Sequence, residues 1–369
     1  AKRVASYIVM IFVATSLTYF LASAFMSPRS NYESRTPRPP QESIEASLDA
    51  TNLNDKTPIL QRYQRWLGGI VTRWDWGQTP TGVSVNEEMS SRIGASVELM
   101  SLATIISIVV GVSLGVYTAQ RQYQWQDRFL GGMASLFMVI PTVVLAILIV
   151  FAAIEINQAA GSRLFYVTGL SSYEGGNPLM TFLDFLQHIL LPTVVLTIIS
   201  SVGYHLGQRT YLLDEMHADY VRTARAKGLT KKQAIRKHAL RASLIPTAVS
   251  VAFSIAGIFT GAVMTEKIFA IHGLGEYFIN CINNNNIHGA VAVAAFSGAC
   301  TLVGALLAVG ALWAGVNTIV EGWLAKSIKF TTAFIGTGDV LSLAPFLVLA
   351  AILLAAASSA FSLSKYTWV

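Results

Sequence analysis

Seven stretches of this chain, 4–25, 99–120, 129–154, 185–206, 244–265, 289–320 and 340–363, contain no Asp, Glu, Lys or Arg. A helix needs about 20 apolar residues to cross a bilayer, because no backbone N–H or C=O can go unpaired in hydrocarbon. One such stretch fits a buried core helix; seven do not. Charged residues make up only 12% of the 369 residues, against the roughly 25% that a water-facing surface ordinarily carries. The prediction is an all-α, polytopic transmembrane bundle of about seven membrane-spanning helices, in a cell membrane and multi-pass.

The first stretch follows Lys2 and Arg3, as a secretory signal would, and Ala22-Ser23-Ala24 has the small residues of a cleavage site. Its length exceeds the usual apolar region of a signal, so it reads as a retained helix. Positive residues favour the cytoplasmic side of helix ends. Lys2 and Arg3 therefore place the N-terminus inside, and alternation keeps Arg121 and Arg128, then Arg209 to Arg241, then Lys326 and Lys329 inside as well. The resulting division is a first transmembrane helix at 1–26, an external segment at 27–96, a core of five transmembrane helices at 97–320 with a cytoplasmic loop at 207–245, and a C-terminal extension at 321–369 carrying one more helix.

Two polar regions differ in charge. The external segment balances eight basic residues (Arg29, Arg35, Arg38, Lys56, Arg62, Arg65, Arg73, Arg92) with eight acidic ones (Glu33, Glu42, Glu45, Asp49, Asp55, Asp75, Glu87, Glu88). The loop sets nine basic residues (Arg209, Arg222, Arg225, Lys227, Lys231, Lys232, Arg236, Lys237, Arg241) against Asp214, Glu215 and Asp219, an excess equal to the whole chain's net charge of +6. The basic balance thus belongs to one loop and not to a nucleic-acid-binding surface; topology determination alone also accounts for such an excess. In the external segment, the Pro- and Arg-rich start to Gln41 reads as an extended connector. From Glu42 to Leu67 the spacing of Ile44, Leu48, Ile59, Leu60, Tyr63, Trp66 and Leu67 predicts short amphipathic helices. Trp66, Trp74 and Trp76 suit a membrane–water interface. These features together suit either a lid or docking surface or a purely structural cap.

Inside the loop, Asp219 is placed as an N-cap with Tyr220 to Lys227 helical behind it. Gly228 stops that helix in the left-handed position. Thr230 and Gln233 form a capping-box pattern opening a second helix that runs to about Leu244. The expected shape is a helix–glycine turn–helix knob with a small-residue patch at Ala224 and Ala226, fit to enter a groove on a cytoplasmic partner whose acidic rim the arginines would grip.

Tyr220-Val221-Arg222-Thr223-Ala224-Arg225-Ala226-Lys227-Gly228-Leu229, with His238-Ala239-Leu240-Arg241 and Leu244-Ile245-Pro246, resembles the coupling loop of oligopeptide and dipeptide ABC importer permeases, most closely the OppB/DppB-like branch. Pro58 to Tyr63, Trp66 to Gly69 and Asp75-Trp76-Gly77 resemble that branch's external segment. Gly261 to Val263, Glu266 to Phe269 and Gly273-Leu274-Gly275 resemble its stretch before the sixth helix. The similarity runs from about Val4 to Val320.

The resemblance implies a type I ABC importer permease that forms a peptide pathway with a second, OppC/DppC-like permease. Its coupling residues would be Asp219, Tyr220, Arg222, Ala224, Arg225, Ala226, Lys227, Gly228, Leu229, His238 and Arg241. These would dock on OppD/OppF-like subunits that hold ATP and Mg, with no cofactor on this chain, while an extracytoplasmic binding protein delivers peptide. Import of nickel or haem is the alternative cargo. Two departures stand out: the extra stretch 340–363, and Asn283 to His288 where the family often has an Arg-Asp-Tyr-Pro-like sequence.

Other classes fit less well. A secondary transporter usually places ionisable groups at mid-membrane, whereas Glu98 and Glu266 sit at stretch ends, and His188 and His205 lie near the ends of the fourth stretch, where packed or interfacial roles prevail. An enzyme needs converging catalytic groups, and no zincin motif or nucleophile elbow occurs. Without a G-x-x-x-x-G-K-[ST] loop the chain is not itself the ATPase. Cys281 and Cys300 lie in unlike surroundings and predict no disulfide.

Overall fold

The computed structural model describes residues 2–173, 175–258 and 262–315. The stretch 340–363, the extension 321–369 and the orienting Lys326 and Lys329 lie outside the described residues. The helices are α1 (Lys2–Phe25), α2 (Ser30–Glu33), α3 (Gln41–Ala50), α4 (Ile59–Arg73), α5 (Val85–Gln120), α6 (Trp125–Val139), α7 (Thr142–Ala160), α8 (Pro178–Met216), α9 (Asp219–Ala226), α10 (Lys231–Ala234), α11 (Leu240–Ile258), α12 (Val263–Ile268), α13 (Leu274–Asn283) and α14 (Ile287–Gly315). A π-helical turn, Ile235–Ala239, joins α10 to α11. Among the described residues, α1, α5, α7, α8 and α14 are long and apolar enough to cross a membrane.

The third stretch, 129–154, is not one helix. Ile140 (φ −71°, ψ 121°) and Pro141 (φ −61°, ψ 138°) are extended and separate α6 from α7. Proline's ring crowds the residue before it out of the helical region, and proline offers no N–H to continue the ladder. Pro192 and Pro246, by contrast, sit inside the unbroken α8 and α11.

The chain divides into two compact units, one holding residues up to Glu98 together with 262–302, the other Leu99–Ile258 and 303–315. In the first unit, Tyr19 and Ala22 of α1, Ile44 and Leu48 of α3, Tyr63 and Trp66 of α4, and Leu274 and Tyr277 of α13 share one buried core. The amphipathic spacing is what built it: Ile44/Leu48 are four residues apart and Tyr63/Trp66 three, so each pair lies on one helix face. Trp66 is a core residue and not an interfacial one. Its ring stacks on Tyr19 at 4.7 Å, and its indole N–H donates to the Trp76 carbonyl at 3.0 Å. Of the three tryptophans only Trp74 is largely exposed. The connector is also more ordered than its proline content suggests: Arg29 Nε donates to Asp55 at 2.8 Å, and Asn285 Oδ1 accepts from the Ser27 N–H at 3.0 Å.

In the second unit α8 is the hub, packing against α6, α7 and α11. Its crossing with α5 is close because of two glycines: a Cβ on Gly111 would lie 2.6 Å from the Ser201 carbonyl oxygen, and one on Gly115 2.7 Å from that of His205. Asp127 of α6 accepts two bonds from Arg209 of α8, from Nε at 2.7 Å and Nη2 at 2.9 Å. Asp184 ties the 161–177 loop to α8, accepting from Ser171 Oγ and the Ser172 N–H, both at 2.8 Å. His188 stacks on Tyr166 at 4.1 Å and His205 bonds the Thr118 hydroxyl at 3.1 Å, so both histidines are packed groups. Cys281 and Cys300 are free thiols.

Candidate functional site

The loop between α8 and α11 is a rigid knob. Its first helix is capped by Ala218, in extended geometry, with Asp219 as the first helical residue and not the cap. There the carboxylate lies beside the positive end of the short helix, which suits an anion without a capping bond. The helix ends as expected at Gly228, whose φ is +97°. The Leu229 N–H bonds the Ala224 carbonyl at 3.3 Å and the Gly228 N–H bonds that of Arg225 at 3.0 Å. This pair of bonds is the Schellman closure, in which the residue after the left-handed glycine packs back on the helix; Leu229 does so, against the cluster holding Ala224. The capping box is present as well, with both Thr230–Gln233 bonds formed. The second helix does not stop near Leu244 but continues through the π-helical turn into α11. Pro246 fails to end it.

The knob is seated on its own chain. Val221, Ala224, Ala234, Ile235 and Ala239 bury against Ala119 near the end of α5 and Leu212 in the last turns of α8. Ala224 is therefore a core residue, while Ala226 is exposed. The expected two-alanine patch does not form, because residues two apart on a helix point about 200° from one another. Tyr220 is half-buried and its hydroxyl donates to Glu215; burial, and then that carboxylate, push its phenol upward. His238 is buried, and burial, then Lys237 and Arg241, lower its imidazole below the usual range. Leu229 is half-buried, whereas Asp219, Arg222, Arg225, Lys227, Gly228 and Arg241 are exposed.

Lys231, Lys232, Arg236 and Lys237 are exposed too, so the 222–241 stretch that carries the Ala226–Gly228 tip holds eight exposed cations. Arg209, the ninth in the sequence count, is withdrawn into its pair with Asp127. An exposed small-residue tip on a strongly cationic stretch is chemically suited to a groove with an acidic margin.

Among the long helices of the same unit, α5, α8 and α11 enclose a cleft of about 480 Å³. Thr104, Tyr204, Gln208, Thr247, Ser250 and Ser254 line it with three glycines, and among the described residues no charged one does. Gln208 holds its α11 side together, donating to Ser243 Oγ at 2.9 Å and accepting from Thr247 Oγ1 at 2.5 Å. Sequence reading missed this lining and the close crossing of α5 with α8. The spacing Gly111-x-x-x-Gly115 is a helix-approach signal that would have marked the crossing.

The stretches beside the loop that carried the family resemblance are structural clasps. Glu266 is fully buried; its Oε1 accepts from Ser96 Oγ at 2.7 Å and its Oε2 from the Glu276 N–H at 2.9 Å, at the first turn of α13. A Cβ at Gly273 would lie 2.5 Å from the Glu266 carboxyl, so glycine is what lets the loop close over it. Asp75 accepts the Gly77 N–H at 2.9 Å, and Gly77, at φ +94°, leaves room for the His288 ring. The departure at Asn283 to His288 is a junction: Asn286 Oδ1 receives the Gly289 N–H at 3.0 Å, and His288 Nδ1 donates to the Gln78 carbonyl at 2.9 Å.

Residues 111–314 match the family described as binding-protein-dependent transport system inner membrane component. The oligopeptide transport system permease protein OppB of Mycobacterium tuberculosis (strain ATCC 25618 / H37Rv) is 40% identical over 308 residues, covering 83% of this chain and 94% of that protein. The dipeptide transport system permease protein DppB of Bacillus subtilis (strain 168) is 31% identical over 287 residues, 77% of this chain and 85% of that protein. OppB of Escherichia coli (strain K12) is 28% identical over 283 residues, 76% of this chain and 85% of that protein.

Proposed function

The chain belongs to the inner-membrane-component family of binding-protein-dependent transport systems, as a permease subunit of an ABC importer rather than an enzyme, and we propose that it carries peptides inward, driven through its α9 knob. The observation that carries the reading is the Schellman-closed tip at Gly228, on a stretch rich in exposed cations and seated on the ends of α5 and α8. Because its inner face is part of the chain's own core, a push on the tip moves those helix ends and not merely a loop. ATPase subunits holding ATP and Mg would supply the push, and no cofactor is assigned to this chain. With the N-terminus cytoplasmic, the knob lies on the ATPase side and the 27–96 segment faces the binding protein.

The cleft between α5, α8 and α11 is this chain's share of the pathway, completed by a second permease. Hydroxyls can exchange hydrogen bonds with any peptide backbone, glycines leave room for it to approach, and the absence of charge among the described lining residues avoids both trapping and repelling charged side chains. Such a lining suits cargo of varied sequence.

In the reconstituted complex, Gly228→Val and Ala226→Trp should abolish uptake of a labelled tripeptide while insertion and pairing with the second permease persist. A Cβ at Gly228 meets open space, so the valine acts only through the backbone, at a cost on the order of 1 kcal/mol or more. Uptake and binding-protein-stimulated ATP hydrolysis intact in both variants would remove the knob from the mechanism.

A further inference from the structure

Between Tyr204 and Arg209, about 8 Å of helix, four side chains tie α8 to three other helices. Tyr204 and Gln208, one turn apart on the same face, bond α11: Tyr204 through Ser254, and Gln208 through Ser243 and Thr247. His205 and Arg209, on the face beside it, bond Thr118 of α5 and Asp127 of α6. We propose, on the reading that the knob is driven by ATPase subunits, that Gln208 is a positioning residue for transport. Its carboxamide fastens α11 to α8 at the base of the knob, so that the two helices carrying the knob move as one body.

The position of this clasp gives it that role. The knob reaches α11 only through the π-helical turn Ile235–Ala239. A helix interrupted by a π turn is a strut with a joint in it, and such turns fall frequently at kinks and functional sites. A push on the knob is absorbed there unless α11 is held. Ser243 lies in the first turn of α11, directly beyond the joint. Gln208 Nε2 donates to Ser243 Oγ at 2.9 Å, and Thr247 Oγ1 donates to Gln208 Oε1 at 2.5 Å. Ser243 Oγ donates onward to the carbonyl of Leu240, the first residue of α11, at 3.0 Å. Gln208, Ser243 and Thr247 are all buried, where linked hydrogen bonds reinforce one another and hold a fixed geometry. Slippage of α11 along α8 therefore breaks two buried bonds. With the clasp intact, movement of the knob carries Tyr204 and Thr247, and the side of the cleft they line, along with it.

The clasp is separable from the fold and from the cargo. Without Gln208, each hydroxyl keeps a carbonyl on its own helix, Ser243 that of Leu240 and Thr247 that of Ser243 at 3.4 Å. Gln208→Met thus leaves no buried hydroxyl unmatched and keeps the side chain's length. Ser243 is not among the residues lining the cleft, so Ser243→Ala alters the clasp without touching the peptide.

Uptake of a labelled tripeptide and binding-protein-stimulated ATP hydrolysis, measured together in the reconstituted complex over a range of peptide concentrations, test this. ATP hydrolysed per peptide imported should rise about five-fold in Ser243→Ala, which loses one neutral hydrogen bond, and further in Gln208→Met, which loses both. The tripeptide KM of Ser243→Ala should match that of the parent. A parental ratio in both variants, a proportional loss of hydrolysis and uptake, or a change confined to KM would each overturn the role of the clasp. Should Gln208→Met fail to insert, Ser243→Ala alone decides. Gly228→Val, run alongside, locates a failure: uptake lost there but a parental ratio in the clasp variants sinks the clasp alone, whereas normal uptake by Gly228→Val sinks the knob and the clasp with it.

Discussion

The 27–96 segment and the α9–α11 loop carry nearly equal numbers of cations and use them in opposite ways. In the former, four of eight are locked into ion pairs and two more into ring or carbonyl contacts. In the latter, eight stand exposed and the ion pair Arg222–Asp219, at 3.5 Å, lies between a 71% and a 96% exposed side chain. Such a pair is screened by water and holds little. Charge neutralised within a segment serves that segment's fold; charge held at the surface of a rigid helix pair faces solvent and whatever docks there.

Reversing the loop charges should therefore have the largest effect. Arg222→Glu, Arg225→Glu, Lys231→Glu and Lys232→Glu together should weaken association of the ATPase subunits by about a hundred-fold, at roughly 0.5–1 kcal/mol for each exposed contact. The loss should shrink as salt rises, because such contacts are screened over about 10 Å at 0.1 M. Co-purification of the subunits across a salt series checks it. The matched change in the other region, Arg38→Gln, removes an exposed pair with Glu33 and should leave both stability and association within about 0.5 kcal/mol of the parent. Equal effects from the two would dissolve the contrast.

Acidification should separate the regions more gently. His238 is held below its ordinary 6.5 by burial, Lys237 and Arg241, so the folded loop favours the neutral ring and the unfolded chain takes up the proton first. That contribution is complete above pH 6.5 and is lost as pH falls through and below it. Asp55 is held below its ordinary 3.8, chiefly by its bond from Arg29. Its contribution is complete above that value and is lost only as pH falls further. Between about pH 7 and pH 5, amide protection factors, corrected for the intrinsic slowing of exchange in acid, should thus fall in 219–241 while those around the Arg29–Asp55 tie hold. The opposite order would show that the loop does not depend on a neutral His238.

The sequence by itself determined the features that depend on near neighbours. Charge-free length forces a membrane helix, a glycine at the end of an apolar-periodic helix takes the left-handed turn, and Thr230 with Gln233 caps the helix after it, since each rests on bonds spanning a few residues. The stretch 129–154 shows where that logic was misapplied: Pro141 carried the break locally, yet absence of charge alone reads as one helix. What only the tertiary structure decided are the pairings between distant segments. Nothing local shows that Ala224 faces Ala119 and Leu212 while Ala226 faces outward, that Trp66 stacks on Tyr19, or that Arg209 is spent on Asp127 82 positions away. The same holds for the cleft between α5, α8 and α11. A side chain's partner is set by which helices cross and at what height, and that is fixed by close packing across the whole unit, to which no short window of residues has access.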